Sequence, residues 1–289
     1  MAELPLKIDL HMHSTVSDGT DTPQELPKKV SSAGMTVFSV TDHDAVKAGG
    51  VIRGCLKDGD PQFIQGAEFS CRDGEGKYHI LGYGFDPENG FVNDLVERAH
   101  GLRMKKVRAR LDFLESEFGF TFPKEEIDRL LSQDNPGKPH IGNLMVKYGY
   151  AVSKESAIKD YIDRKHFKNE YISPSEAIEG IIKGGGIPVL AHPFFGSGDE
   201  LILGEDMDKR VKRLVGYGLK GIESFYSGFS AKLIRDALDL SEKHGLYVTA
   251  GSDYHGKNKL VILGDTGFDG SDGIPQGMRR FFKDLNINV

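Results

Sequence analysis

His11, His13 and Asp18 stand close together in the stretch DLHMHSTVSDG, directly after a short apolar run. Alternation along a strand puts His11 and His13 on one face, where both imidazoles can reach a single ion. The pattern then recurs. Apolar runs finish on His, Asp or Glu in IDLHMH, FSVTDHD, GAE, VLAHP, GIE and TAGSDYH, which adds His43, Glu68, His192, Glu223, Asp253 and His255, and His79 follows in YHILGY. Histidine mixed with carboxylate suits borderline divalent metals such as Zn, Mn or Fe. Cys55 and Cys71 form no metal-type pair, which argues against a structural zinc finger. Any one of these histidines alone would be read as a hydrogen-bonded core or surface group. Six of the ten in the chain at or near strand ends point to a metal centre instead.

Those positions need a scaffold that brings strand ends together. LKIDLHMH, TVFSVTDHD, QFIQGAEFS and YHILGYGF read as strands, with helical spacing in PQELPKKVSSAG. From about Asn93 the chain becomes a nearly all-helical block rich in both charges. After Pro174 strands and helices alternate again through IPVLAHP, LKGIESFY and LYVTAGSDYH. Repeated strand–helix units predict parallel strands joined by crossover helices and closed as a barrel, whose C-terminal strand ends face one mouth. The expected organisation is a barrel from residues 1–92 and 172–289, with a helical insertion over 93–171.

At 289 residues the chain is long enough for one large domain with an insertion. A net charge of −6, from 37 basic and 43 acidic residues, argues against bulk binding to long nucleic acid or to an anionic membrane. Two cysteines fit a reducing compartment. No signal peptide or membrane-spanning run is visible, and a cytoplasmic location is expected.

Taken in order, DLHMHSTVSDG, TDHD, GAE, YHILGY, AHP, GIE and GSDYH resemble the PHP (polymerase and histidinol phosphatase) superfamily of metal-dependent phosphoesterases. KPHIGNLMVKYGYAVSKESAIKDYI is similar to the insertion of the subgroup containing nucleoside 3′,5′-bisphosphate phosphatases and a small-oligonucleotide exoribonuclease. The resemblance implies an α/β fold, a distorted seven-stranded (βα) barrel with a helical insertion domain, holding three divalent ions (Mn, Fe or Zn). By that resemblance His11, His13, Glu68 and Asp253 hold one ion. Glu68 bridges to a second, completed by His79 and His192. Asp18, His43 and His255 hold the third, and Glu223 stands behind the ligands without joining them.

The charges are coherent with that set. About +6 from three divalent ions and −3 from Asp18, Glu68 and Asp253 leave the cluster near +3, which attracts a phosphate ester to an acidic protein. The mechanism this suggests is in-line attack on phosphorus by a metal-bridging hydroxide, held by Glu68 and neighbouring ligands. Asp42, Asp44 or a metal-bound water are the candidates to protonate the leaving group.

The expected partner is a small phosphorylated substrate, a nucleotide or a sugar phosphate. Lys138 and His140 in NPGKPHIG are the candidate phosphate contacts, because the related phosphatases carry a basic residue and a His there. The run Arg103, Lys105, Lys106, Arg108 and Arg110 reads first as a solvated helix face, since Asp112, Glu115 and Glu117 follow at once. Tyr226 and Phe229 fit either base stacking or core packing. Nucleotide-hydrolysing relatives continue AHP with Gly-Arg, whereas this chain has Phe194 and Phe195. That departure keeps a second substrate class open, five-membered cyclic sugar phosphates. Two further readings are an amidohydrolase-type enzyme, which also opens with His-x-His, and a non-catalytic PHP module. A decayed module should have lost ligands, and none of the nine is missing.

Overall fold

The computed structural model describes residues 6–196 and 200–289. The start of the N-terminal segment read above for a signal peptide lies outside the described residues. Seven strands follow one another in chain order around one sheet: β1 (Ile8–Asp9), β2 (Val37–Val40), β3 (Gln62–Asp73), β4 (Gly76–Tyr83), β5 (Ile187–Leu190), β6 (Gly221–Tyr226) and β7 (Tyr247–Gly251). The apolar strands VFSV and IPVL are buried along their whole length, as expected of parallel strands covered on both faces. The barrel nearly closes where β1 meets β7. Leu10 N donates to Ala250 O at 2.9 Å, and Asp253 N donates to His11 O at 2.7 Å. Beside that seam the buried Asp9 carboxylate accepts hydrogen bonds from Ser252 N, Ser252 Oγ and Gly264 N.

One strand departs from the all-parallel expectation. β4 runs antiparallel to both β3 and β5, because β3 turns back through the short hairpin at Asp73–Gly76. His79 therefore sits inside a strand that enters from the mouth. Glu68 lies within the long β3, bridged in parallel to His43.

Helices α1 (Leu26–Ser32) and α2 (Ala48–Cys55) flank the first strands. Four more make up the helical segment: α3 (Gly90–Phe118), α4 (Lys124–Leu131), α5 (Lys138–Lys147) and α6 (Lys154–Ser156). The chain then continues through α7 (Pro174–Lys183), α8 (Gly204–Gly216), α9 (Ala231–Lys243) and α10 (Gln276–Asp284). Helix α7 starts on a capping box, with Ser173 Oγ accepting from Glu176 N while the Glu176 carboxylate accepts from Ser173 N. Helix α10 packs Met278, Phe281 and Phe282 against Ile8, Val37, Ile64 and Val248 from the strands.

Helix α3 is the structural link to the helical segment. It begins at Asn89, whose side chain accepts from Phe91 N, and stops at Gly119, a left-handed C-cap with φ 70°. Over its 29 residues it spans roughly 43 Å. Its first half sends Val92, Leu95 and Ala99 into the core shared with β3 and β4. Its second half sends Val107, Leu111 and Leu114 into a separate core with Ile141, Met145 and Ile162. A single rigid rod thus belongs to both hydrophobic clusters.

Candidate metal centre

All nine expected ligand side chains meet at the barrel mouth, around Glu68. Its Oε2 lies 3.4 Å from His11 Nε2, 3.3 Å from His13 Nε2 and 3.0 Å from His43 Nδ1. Its Oε1 lies 2.8 Å from His79 Nδ1 and 3.3 Å from His192 Nε2. The two oxygens of one carboxylate thus face two different sets of imidazoles. Asp253 Oδ1 stands 3.6 Å from His11 Nε2 and 3.3 Å from His13 Nε2. Asp18 completes the far side, with Oδ1 3.3 Å from His255 Nε2 and Oδ2 3.9 Å from His43 Nε2.

Local backbone explains how these side chains converge. Among the described residues, four non-glycine positions have positive φ, and three of them border the site: Asp44 at 50°, His192 at 26° and Asp253 at 59°. Each is held there by a hydrogen bond from its own N–H, to Glu68 O, to a Glu223 carboxylate oxygen and to His11 O respectively. Strain of this kind persists where surrounding contacts over-determine it, and it clusters at functional sites. In the SDG turn, a Cβ on Gly19 would stand 2.2 Å from His13 O, so only glycine lets the turn fold back on the ligand strand.

The ring nitrogens are oriented for a cation. His255 Nδ1 lies 2.8 Å from Asp253 O, which only accepts, so Nε2 is left bare toward Asp18. His13 Nδ1 lies 3.3 Å from Ser17 Oγ, whose own hydrogen goes to Asp42 Oδ1 at 2.7 Å, so in the neutral ring the His13 Nε2 lone pair faces inward too. His11 Nδ1 faces Glu223 Oε1 at 3.0 Å, with the same result. Bare lone pairs aimed at carboxylate oxygens repel unless positive charge lies between them. His11 Nε2, His13 Nε2, His43 Nδ1, Asp18 Oδ1 and Glu68 Oε2 are all buried without a hydrogen-bond partner. Burial without a partner is costly, and a coordinated cation is what satisfies such a set. Groups able to share one ion are His13, Asp18, His43 and His255; His11, His13 and Asp253; and His43, Glu68 and His79. The residues fit divalent metals.

Protonation tells the same story. Burial works against the charge on His13, yet Asp253 and Glu68 beside it raise its pKa to about 9. Glu68 is driven up by burial but held well below the usual carboxylate range by His79, His43 and His11. The pocket attracts positive charge in whatever form is offered.

A basic cleft runs outward from this cluster. Arg103, Lys106 and Arg110 of α3 line it with Lys77, Lys138 and Arg210. Arg103 pairs with Asp44 at 2.7 Å, and Lys138 with Asp163 at 2.6 Å. Among the described residues Lys77, Lys106, Arg110 and Arg210 make no ion pair, and three of the four are braced by aromatic rings. Lys106 Nζ lies 3.5 Å from the Tyr171 centroid, Arg110 Cζ 4.9 Å from that of Phe167, and Arg210 Cζ 3.9 Å from that of Tyr78. Arg110 Nε and Arg210 Nε are buried without partners.

This cation row corrects the reading of the helix charges as one solvated face. Lys105 and Arg108 do not enter the cleft, but Arg103, Lys106 and Arg110 recur at i, i+3 and i+7, continuing the buried stripe of Val92, Leu95 and Ala99. That spacing was the available signal. Arg210, on a distant helix, left none. His140 does not line the cleft, and its Nδ1 accepts from Gly137 N at the start of α5. Tyr226 is buried, gives its hydroxyl hydrogen to Asp253 Oδ2 at 2.9 Å, and packs with Phe195 and Phe229. Asp42 accepts from Ser14 N, Ser14 Oγ and Ser17 Oγ. Asp44 is pushed up by burial but held below its ordinary pKa by Arg103 and Lys106. Asp44 therefore carries no proton to donate.

A seven-stranded α/β barrel here gathers six imidazoles and three carboxylates at its mouth, in groups that could hold divalent metals. The PHP domain model matches residues 9–117. It is 25% identical to a 3′,5′-nucleoside bisphosphate phosphatase of Chromobacterium violaceum, over 98% of this chain and 97% of the relative. It is 29% identical to the phosphoribosyl 1,2-cyclic phosphate 1,2-diphosphodiesterase of Eggerthella lenta, over 86% and 94%. It is 27% identical to a 5′-3′ exoribonuclease of Haemophilus influenzae, over 89% and 93%. A solved structure from Bifidobacterium adolescentis shares the fold with a TM-score of 0.81 at 23% identity, covering 97% of this chain and 98% of its own. No helix among the described residues is long and apolar enough to cross a membrane.

Proposed function

We propose that the protein is a metal-dependent phosphoesterase that hydrolyses a small nucleotide carrying a second phosphate, a nucleoside 3′,5′-bisphosphate or a short oligonucleotide. The observation that carries this reading is the basic cleft beside the ligand cluster. A single phosphate at the barrel mouth has no use for further cations several residues away. A second anionic group does, and buried, unpaired Lys and Arg side chains are suited to hold it.

In this reading His11, His13, Glu68 and Asp253 hold one ion, Glu68, His79 and His192 a second, and Asp18, His43 and His255 a third, with Mn, Fe or Zn as candidates. When bound, such ions supply Lewis acidity toward a phosphoryl oxygen and lower the pKa of water toward ~7. The protein's own groups do the rest. Ser17 and Asp42 keep the His13 lone pair inward, and Tyr226 with Lys259 fixes the Asp253 carboxylate by its outer oxygen. Lys106, Arg110 and Lys77 take the distant anion, joined by Lys138. His140 supports that contact indirectly by capping the helix that carries Lys138. The helical segment, residues 93–171, forms the outer wall of the cleft and excludes water from it.

A cyclic sugar phosphate is the second reading, favoured by the Eggerthella relative, which is the most identical of the three described. The experiment is phosphate release by metal-loaded full-length protein from adenosine 3′,5′-bisphosphate, short oligonucleotides and five-membered cyclic ribose phosphates. Turnover of the first two, with KM raised by Lys106→Met, supports the proposal. Turnover of the cyclic phosphate alone replaces it.

A further inference from the structure

Glu223 contacts two of the converging histidines, and its role is separate from theirs. It sits on β6, fully buried, with Oε1 3.0 Å from His11 Nδ1 and Oε2 accepting from His192 N at 2.7 Å. We infer that Glu223 is a positioning residue whose single carboxylate fixes the tautomer of His11 and the backbone of His192 together. The inference rests on the metal-centre reading above and concerns how its ligands are set.

An ionised carboxylate only accepts hydrogen bonds. His11 must therefore carry a hydrogen on Nδ1, and in the neutral ring that binds metal this leaves the Nε2 lone pair facing Glu68 Oε2 and Asp253 Oδ1. The second oxygen holds the peptide of His192, whose φ of 26° is one that side-chain-bearing residues rarely adopt. With that peptide held, His192 Nε2 stands 3.3 Å from Glu68 Oε1, and its ring lies nearly parallel to that of His11 at 22°. Two strands thus receive their ligand geometry from a third.

The fold is shaped around this contact. The β6–β7 register shifts between Glu223 and Phe225, an irregularity of the kind that re-aims a side chain. On β7, a Cβ at Gly251 would stand 2.4 Å from Glu223 Oε1 and 2.2 Å from His11 Cβ. Glycine at that position lets the carboxylate and the imidazole meet.

Both partners of Glu223 are N–H donors, so a neutral amide cannot replace the carboxylate. Gln offers one acceptor oxygen and one donor NH2. Glu223→Gln therefore either loses the His192 peptide or turns His11 Nδ1 into an acceptor, which moves the ring hydrogen to Nε2, the atom facing Glu68. Loss of a hydrogen-bond partner behind a metal ligand typically weakens metal binding about 10–100-fold.

The test uses metal-stripped full-length protein, wild type and Glu223→Gln, titrated with Zn(II) and assayed for retained metal. Long-range 15N–1H correlation on the histidine rings of Zn-loaded wild type reads the tautomers directly. The expected result is Zn affinity lowered tenfold or more in the variant, an unchanged thermal midpoint of the metal-free forms within a few degrees, and hydrogen on Nδ1 of His11. Equal affinity in the variant, or hydrogen on Nε2 of His11 in the wild type, overturns the inference. Should the variant not fold, the wild-type spectrum alone decides. A wild type that retains no Zn(II), Mn(II) or Fe(II) removes the metal-centre reading itself, a result distinct from the other two.

Discussion

Arg103 Nη2 lies 2.7 Å from Asp44 Oδ2, joining helix α3 to the barrel mouth through an ion pair that is almost wholly buried. Arg103 Nε bonds the same oxygen at 2.8 Å, and Nη2 also reaches Ser70 Oγ at 3.0 Å. Removing one partner of such a pair leaves the other charge stranded. Arg103→Met is expected to cost about 3–5 kcal/mol in urea unfolding of the full chain. Arg103→Lys should recover only part of that loss, because an ammonium does not reproduce the guanidinium fork. A loss below about 1 kcal/mol for Arg103→Met would contradict a buried, uncompensated Asp44.

Lys106 carries a pH signature. Burial, with Arg103 and Arg110 beside it, pushes its pKa down to about 7. The unfolded chain holds that proton up to about pH 10.4, so between these values the unfolded state binds more protons. Stability from this group therefore rises with pH above about 7, and the penalty is fully present below it. Lys106→Met should stabilise the ligand-free protein most at pH 6 and least near pH 10, by chemical denaturation at both. A pH-independent difference would contradict the assignment. The same variant should weaken binding of a doubly phosphorylated nucleotide about tenfold or more at pH 6.

Asp18 reaches toward His43 and His255, away from the ion assigned to His11 and Asp253. On the proposed three-ion arrangement, Asp18→Ala should lower retained metal by one ion and leave the others in place, read by elemental analysis after dialysis. Loss of all metal would show that the three positions do not load independently.

Gly251→Ala tests the close approach of β7 to the ligand strand. Its methyl would fall within 2.2 Å of His11 Cβ, so backbone must shift. A loss on the order of 1–3 kcal/mol is expected, together with weaker metal retention. Wild-type stability for this variant would mean that the strands part at no cost.

Much of the site was legible because it is written in residue types at strand termini. His11, His13, His43, His192, Asp253 and His255 announce themselves where apolar runs end, since a period of two and a shared barrel rim are properties that sequence displays. The direction of β4 also has a local signal. The segment SCRDGEGKYH holds a Gly-rich turn between two strand-like runs, the usual mark of a hairpin. The cations of α3 have theirs in the face they share with Val92, Leu95 and Ala99, which the acids that follow them in sequence mask. Arg210 and the two-sided grip of Glu223 depend on how distant elements pack, which local pattern does not encode.

The seam between β1 and β7, where Asp253 N bonds His11 O, has a consequence for how the protein matures. Ligands from near both ends of the chain surround Glu68, so no fragment lacking either terminal strand assembles the cluster. Closure of the barrel must come before the cluster exists, so metal held there would mark chains whose first and last strands have met.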